Sequence, residues 1–234
     1  YGSLVFRELQ QGATYYVVQD DGDADPITVR RFLDHPDDAF YAGQTPLVEG
    51  LNYIRMRDGT LLAAMVRPPL NESFLPGRSF PTVVEYSGYA AADPLNPQAS
   101  TLLAQVLGYA TVGVNMRGSG CSGGAFDLFD LPTTADGYDI IETVARQSWV
   151  QGGKVGMVGI SFPGISQLFV AATHPPSLAA ITPLAVSSGP DTTMNPGGIV
   201  NDGFAVEWYR GLGRPAARPR PSRVAGNGNG LRSG

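Results

Sequence analysis

The segment from Lys154 to Ala172 constrains the fold more than any other part of the chain. It reads Lys-Val-Gly-Met-Val-Gly-Ile, then Ser161, then Phe-Pro-Gly-Ile-Ser-Gln-Leu-Phe-Val-Ala-Ala. The apolar run before the serine predicts a buried strand, and the apolar run after it predicts a helix. A strand, a serine and a helix in this order are the context that a nucleophile elbow requires. Gly159 and Gly164 would keep so sharp a turn free of side chains.

Ser161 itself has two interpretations. In an elbow, its hydroxyl stands above the sheet and the following helix points its N-terminus at developing negative charge. In the alternative, the serine caps an ordinary strand-to-helix turn. The usual lipase-type pattern is Gly-x-Ser-x-Gly, and here Pro163 holds the second position after the serine. Proline is tolerated in the first turn of a helix, and it leaves the N–H of Phe162 free, which is the backbone donor that an oxyanion hole at such an elbow uses.

The elements before and after this segment alternate between strands and helices. Leu51–Arg57 and Thr60–Val66 predict a hairpin that turns at Asp58-Gly59. The later predicted elements are strands at 80–86, 110–116, 155–160 and 179–186 and helices at 100–107, 134–146 and 165–172. Such an order predicts an α/β fold with a mostly parallel sheet and helices on both faces.

Three regions follow from composition. Residues 1–46 are β-rich and form a leader or the end of a preceding β domain, residues 47–208 form the α/β unit, and residues 209–234 form an Arg/Pro/Gly tail. The acidic turn from Asp20 to Pro26 lacks the glutamate of a calcium loop, since Arg31 stands at the twelfth position, and we interpret it as a solvated turn. The tail has too few apolar residues to offset the entropy of ordering and is expected to be disordered. Whether the tail is native stays open.

Charge and residue counts exclude several classes of protein. The first 209 residues hold all 21 acidic and ten of the 16 basic residues, a net charge of −11 that disfavours nucleic acid. No apolar run approaches the ~20 residues of a membrane helix. One cysteine, Cys121, and two histidines cannot supply a disulfide framework or a ligand cluster for a metal. We therefore expect neither a metal nor another cofactor, and both a cytoplasmic and a secreted location stay open.

A glycine-rich stretch, Gly118-Ser-Gly-Cys-Ser-Gly123, matches the dinucleotide-binding pattern Gly-x-Gly-x-x-Gly. A dinucleotide site also needs a helix that opens at those glycines. The residues that follow, Gly124 to Pro132, are typical of a loop. The stretch is therefore interpreted as a loop at the top of the sheet.

Four stretches in order resemble the α/β-hydrolase core of the cocaine-esterase (CocE/NonD-type) and X-prolyl dipeptidyl-peptidase family. The family's relatives include acylases of β-lactam precursors and α-amino-acid ester hydrolases. The resemblance covers about Val48 to Pro190. Its stretches are Arg57-Asp-Gly-Thr-Leu61, Pro81-Thr-Val-Val-Glu-Tyr-Ser-Gly-Tyr89, Asn115-Met-Arg-Gly-Ser-Gly-Cys-Ser-Gly123, and Trp149 with Gly156-Met-Val-Gly-Ile-Ser161 and Ala180-Ile-Thr-Pro183. Asn115 replaces the aspartate that is usual in the family.

The resemblance implies a role for three residues. Ser161 resembles the nucleophile that accepts the acyl group, the Phe162 N–H resembles one oxyanion donor, and the Tyr89 hydroxyl resembles the other. Without the resemblance, Tyr89 would be interpreted as a loop aromatic that packs on the surface. The implied substrate is a small ester, an amide or an X-Pro peptide, and a homo-oligomeric full-length form stays open.

The chain's two histidines do not complete a catalytic triad. An α/β-hydrolase orders its triad Ser, then Asp or Glu, then His. His174 is expected ~20 Å from Ser161, across a helix with a rise of 1.5 Å per residue, and His35 precedes the core in a solvated turn. The resemblance implies that the acid and the histidine follow this sequence, after a helical cap. We therefore expect a truncated serine hydrolase, with a non-catalytic module that binds a ligand or partner as the alternative.

Overall fold

The computed structural model describes residues 8–16, 26–29, 31, 34–187 and 189–212. Its first elements are β1 (Thr14–Tyr16) and β2 (Pro26–Thr28), which pair antiparallel. This small sheet confirms the short β-rich segment before the core. The first seven residues of the β-rich region and most of the acidic turn lie outside the described residues. A short helix that the sequence did not predict, α1 (Asp38–Ala42), follows and is capped by the Asp37 side chain.

A six-stranded mixed sheet forms the centre of the described structure. Its strands lie in the order β3-β4-β6-β5-β7-β8. Strand β4 pairs antiparallel with β3 on one side and with β6 on the other. The strands β6, β5, β7 and β8 run parallel to one another. The strands are β3 (Gly50–Arg55), β4 (Leu61–Arg67), β5 (Phe80–Ser87), β6 (Ala110–Asn115), β7 (Val150–Ile160) and β8 (Leu178–Leu184). The predicted hairpin and mostly parallel sheet are confirmed.

The helices lie on both faces of this sheet because successive crossover connections move toward opposite edges of it. The crossover from β5 to β6 contains α2 (Ala99–Val106) and moves toward β4. The crossovers through α3 (Leu131–Ala145) and α4 (Phe162–Ala171) move the other way, toward β8. Right-handed crossovers in opposite directions place their helices on opposite faces. Accordingly, α3 and α4 contact each other while α2 packs on β5, β6 and β7.

The core lies between the sheet and the α3–α4 layer. Val84, Val112 and Val114 on the central strands and Ile140 and Ile141 on α3 have no measurable exposure. Burying an aliphatic side chain of this size stabilises the fold by about 1.5–3 kcal/mol. The helix α3 starts three residues earlier than predicted because the Asp130 carboxylate accepts a hydrogen bond from the Thr133 N–H at 2.8 Å and caps it.

Three short helices follow the sheet, and the sequence predicted none of them. They are α5 (Pro190–Thr193), a 3-10 turn (Pro196–Gly198) and α6 (Ala205–Leu212). The tail was expected from residue 209, but α6 continues to Leu212, so the helix extends past that boundary. Residues 213–234 lie outside the described residues.

Among the described residues, the structure contains no helix that is both long and apolar enough to span a bilayer.

Candidate active site

Ser161 occupies a strained backbone conformation between β7 and α4. Its φ is 65° and its ψ is −118°, a combination that glycine adopts easily and other residues rarely. Its side chain makes no capping hydrogen bond to α4. An ordinary N-cap would have an extended backbone and would accept a bond from the second or third helical N–H. The geometry therefore disfavours the capping interpretation and agrees with an exposed elbow hydroxyl.

The two glycines near Ser161 are required by close backbone approach. A Cβ atom on Gly159 would lie 2.6 Å from the Pro163 Cβ and 2.7 Å from the Pro163 carbonyl oxygen. A Cβ atom on Gly164 would lie 2.6 Å from the Leu184 carbonyl oxygen. Neither contact is sterically possible without movement of the backbone. The small residues predicted for the elbow are thus needed at these two positions.

A cavity of about 240 Å³ opens beside Ser161. Its wall is mostly apolar and contains no charged side chain among the described residues. The residues that line it are Leu128, Phe129, Ser161, Phe162, Ile165, Ala185, Val186, Ser187, Gly189, Thr193, Met194, Phe204 and Trp208. An uncharged group attached to a carbonyl carbon at Ser161 would meet complementary apolar surface here.

Phe162 is the centre of an aromatic cluster behind this cavity. Its side chain is 1% exposed and meets Tyr89, Phe129 and Trp208 edge to face, with ring centroids 5.5, 4.9 and 5.6 Å away. Edge-to-face contacts of this kind are favourable beyond the area they bury. As the first residue of α4, Phe162 has an N–H with no acceptor inside the helix. The backbone donor expected at this position is thus available.

Tyr89 lies in the loop after β5 and is held on two sides. Its N–H donates to the Ser87 Oγ at 2.9 Å, and its phenol oxygen accepts a hydrogen bond from the Trp208 Nε1 at 2.8 Å. Tyr89 does not line the cavity itself, whereas Trp208 and Phe162, the two residues it contacts, do. Tyr89 is therefore half-buried in the aromatic cluster and differs from a loosely packed surface aromatic.

Trp208 is the contributor to this site that the sequence analysis missed. It stacks on Phe204, one helical turn earlier, with ring centroids 6.3 Å apart, and both residues line the cavity. The spacing of four residues places two aromatic side chains on one face of a helix. This spacing could have predicted a helix at α6. Nothing in the sequence indicates that α6 contacts Tyr89.

The loop after β6 is anchored by an ion pair to α3. Arg117 donates to both carboxylate oxygens of Asp136 at 2.7 and 2.6 Å and to Asp58 at 3.0 Å. Burial raises the pKa of Asp136 to about 7, against the opposing effect of Arg117. The cost of removing both charges from water offsets much of their attraction, so the pair is weak evidence for added stability. The pair connects the loop to α3 and to the β3–β4 turn.

Asn115, the last residue of β6, joins this strand to the loop after β5. Its side-chain oxygen accepts the Ala92 N–H at 2.6 Å. A Cβ atom on Gly120 would lie 1.9 Å from the Asn115 side-chain nitrogen, so the glycine loop folds directly over the amide. No helix opens at these glycines, since α3 begins at Leu131. The stretch is a loop, as predicted.

Neither histidine lies in the wall of the cavity beside Ser161. His174 follows α4, ten residues long and about 15 Å in length, so it lies at the other end of that helix. Ser161 follows β7, whereas the loop with His174 precedes β8. Because β7 and β8 run parallel, that loop lies at the amino ends of the strands and Ser161 lies at their carboxyl ends. His35 stacks on Tyr138 with ring centroids 3.7 Å apart, and its Nδ1 lies 3.3 Å from the Arg57 Nη2. Burial, followed by Arg57, lowers the pKa of His35.

The parallel sheet, its strand order and the elbow at Ser161 define the core of an α/β hydrolase. A sequence model of the X-Pro dipeptidyl-peptidase (S15) family matches residues 58–230. The chain belongs to this family.

Relatives and solved structures agree with this assignment. A Mycobacterium bovis protein provisionally named a serine esterase is 33% identical over 105 residues, which cover 44% of this chain and 17% of that protein. A Staphylococcus aureus hydrolase of the CocE/NonD family superposes with a TM-score of 0.60 at 24% identity over 71% of this chain and 36% of that one. An α-amino-acid ester hydrolase superposes with a TM-score of 0.51 at 23% identity over 64% and 28%. At these identities the two structures show the fold, and the match spans less than a fifth of the curated relative.

Proposed function

We propose that Ser161 is the nucleophile of a serine hydrolase that cleaves an ester, an amide or an X-Pro peptide through an acyl-enzyme. In that reaction the Ser161 Oγ attacks the carbonyl carbon, and its proton passes to a base. The bond to the alcohol or amine then breaks, the leaving group takes up the proton, and water hydrolyses the acyl-serine. The Phe162 N–H and the Tyr89 hydroxyl are proposed to stabilise the oxyanion. The observation that supports this most is the strained Ser161 backbone without a capping bond.

The base is proposed to come from sequence outside the 234 residues. Both histidines of the chain are described. His174 lies at the far end of α4 and His35 packs against Tyr138 of α3, and neither lines the cavity at Ser161, which disfavours either as the proton acceptor. A hydroxyl without a base is a poor nucleophile. The proposed catalytic unit is therefore this core together with an acid and a histidine that follow it in the chain.

The residues that line the cavity indicate which kind of acyl group it would accept. A dipeptide substrate carries an N-terminal ammonium, and a buried ammonium needs a carboxylate partner. None of the residues that line the described cavity is acidic. An uncharged acyl group therefore fits this part of the site better than a free amino terminus, and an ester or an amide of such an acid is the substrate we would test first.

Labelling with a fluorophosphonate tests the nucleophile. A longer form that supplies the sequence after residue 234 is expected to be labelled, and its Ser161→Ala variant is expected to resist. Ser187→Ala is the matched comparison, because Ser187 lines the same cavity and its loss should leave labelling in place. Labelling that survives Ser161→Ala would reject the assignment. A longer form that binds ester substrates but is never labelled would favour a non-catalytic ligand-binding module instead.

A further inference from the structure

Trp208 meets Tyr89 from a distant part of the chain. The indole Nε1 donates to the phenol oxygen across 2.8 Å, although 119 residues separate the two in sequence. An indole N–H can only donate, whereas a phenol has one proton and accepting lone pairs. Since the phenol oxygen already accepts from Trp208, the proton of the Tyr89 hydroxyl is left to donate elsewhere.

The same contact attaches α6 to the α/β core. Among the described residues, it is the one hydrogen bond that joins α6 to the sheet and its loops. An apolar contact accompanies it, since the Trp208 ring meets the Phe162 ring edge to face. Trp208 also stacks on Phe204, which directly precedes α6. The outer surface of α6 contains an exposed ion pair between Arg210 and Glu207 and the exposed Tyr209 side chain. The helix therefore docks by one aromatic face, and Trp208 is the residue at which that face meets the site.

We propose that Trp208 is a positioning residue for the oxyanion donor, so that docking of α6 fixes the Tyr89 phenol and completes the oxyanion site. This rests on the proposed role of Tyr89. Hydrogen bonds in series polarise one another, so a phenol that accepts from an indole donates more strongly to a developing oxyanion. When α6 is undocked, the Tyr89 ring loses this bond and the oxyanion site has one oriented donor fewer.

A wall residue would behave differently from a positioning residue. Trp208 lines the cavity as well, so its removal also changes the surface that a substrate meets. Phe204 provides the comparison, because it lines the same wall and stacks on Trp208 but makes no hydrogen bond to the core. Loss of wall surface should change KM, whereas loss of the indole donor should lower kcat and should do so only when the Tyr89 hydroxyl is present.

A double-mutant cycle in the longer, active form tests this with p-nitrophenyl esters. Trp208→Phe is expected to lower kcat about ten-fold, less than the roughly 10²–10³ typical for complete loss of an oxyanion donor. In a Tyr89→Phe background the same change should alter kcat by less than about two-fold, because no phenol remains to be oriented. Phe204→Leu should mainly raise KM, and equally in both backgrounds. Losses from Trp208→Phe that simply multiply with those of Tyr89→Phe would overturn the proposal.

NMR spectroscopy tests the hydrogen bond between Trp208 and Tyr89 independently of turnover. With 15N-labelled tryptophan, the Trp208 indole resonance is identified as the one that Trp208→Phe removes. Tyr89→Phe should move this proton resonance upfield, and it should leave unchanged the resonance of Trp149, whose indole donates to the Leu47 carbonyl at 3.1 Å. An unmoved Trp208 resonance would also overturn the proposal. Absence of ester hydrolysis by the wild type would instead reject the proposed function, and the two failures are thereby distinguishable.

Discussion

The N–H of Ser161 donates a hydrogen bond of 2.8 Å to the carbonyl oxygen of Leu184, the last residue of β8. The Ser161 carbonyl in turn accepts the N–H of Ile165 at 2.8 Å. The strained residue is therefore held on both sides by backbone bonds, and its side chain is left free. Strain of this kind costs about 1–3 kcal/mol and persists only where the surroundings impose it.

Replacing Ser161 should separate stability from activity. Ser161→Ala is expected to abolish ester hydrolysis in an active form and to change the free energy of unfolding by less than about 0.5 kcal/mol, because the exposed hydroxyl makes no capping bond. Ser161→Gly should be equally inactive but more stable than Ser161→Ala by about 1 kcal/mol, since glycine adopts this conformation without strain. Denaturant unfolding and ester assays of both variants measure this. Turnover retained by Ser161→Ala would show that another group attacks the substrate.

The sheet and the elbow could be predicted from the sequence, whereas the wall of the site could not. Strands such as β5 and the second half of β7 are apolar runs between turn residues. The close approach of Gly159 to Pro163 is local in sequence, whereas the approach of Gly164 to Leu184 depends on how β8 returns to the sheet. The contact between Trp208 and Tyr89 depends on how α6 returns to the sheet, and no periodicity encodes a pairing across 119 residues. The helix α6 was not predicted for the same reason, since the contact of Trp208 with Phe162 joins residues that are distant in sequence.

The Tyr89 hydroxyl should contribute mainly to the transition state. Tyr89→Phe is expected to lower kcat at least about ten-fold with little change in KM, because a hydrogen bond to the oxyanion strengthens only as charge develops. Steady-state kinetics of the longer form with an activated ester measure both constants. A change confined to KM would mean that Tyr89 only shapes the pocket.

The close approach at Gly159 predicts a large effect from a single methyl group. Gly159→Ala would place a Cβ atom 2.6 Å from the Pro163 Cβ, and the resulting overpacking should destabilise the fold by about 1–3 kcal/mol. It should also displace Ser161 and so reduce fluorophosphonate labelling. Gly211→Ala is the matched control, because a Cβ atom there meets nothing within 4 Å, and that change should be neutral or slightly stabilising. Equal stability of the two variants would contradict the elbow geometry.

The segment around His35 should loosen as the pH falls. Asp139 accepts hydrogen bonds from the Tyr41 hydroxyl and from Arg57, and Arg57 also meets the His35 ring. Burial and Arg57 lower the pKa of His35 in the folded state, while Asp139, Asp34 and Glu142 oppose this. Because the pKa of His35 is lower in the folded state, neutral His35 stabilises the fold fully above the unfolded pKa of about 6.5. This stabilisation is lost as the pH falls through the folded pKa.

Hydrogen exchange of residues 34–42 between pH 7 and pH 5 measures this effect. Protection is expected to decrease toward pH 5, and His35→Gln, which cannot gain a proton, should reduce that dependence. A wild-type profile with the same pH dependence as His35→Gln would show that His35 does not contribute to holding the segment.

The 234-residue chain by itself is expected to have negligible turnover and marginal stability. Among the described strands, β8 is at the edge of the sheet, and beside it a groove of about 720 Å³ leaves Leu103, Leu107, Ile160 and Leu184 each about half exposed or more. Parallel sheets are stable when both faces are covered, and exposed apolar edges favour aggregation. We therefore expect self-association in size-exclusion chromatography, weak amide protection in β8 and no steady-state ester hydrolysis. A cooperatively unfolding monomer with measurable kcat would contradict this and would redirect the search for the base to His35 or His174.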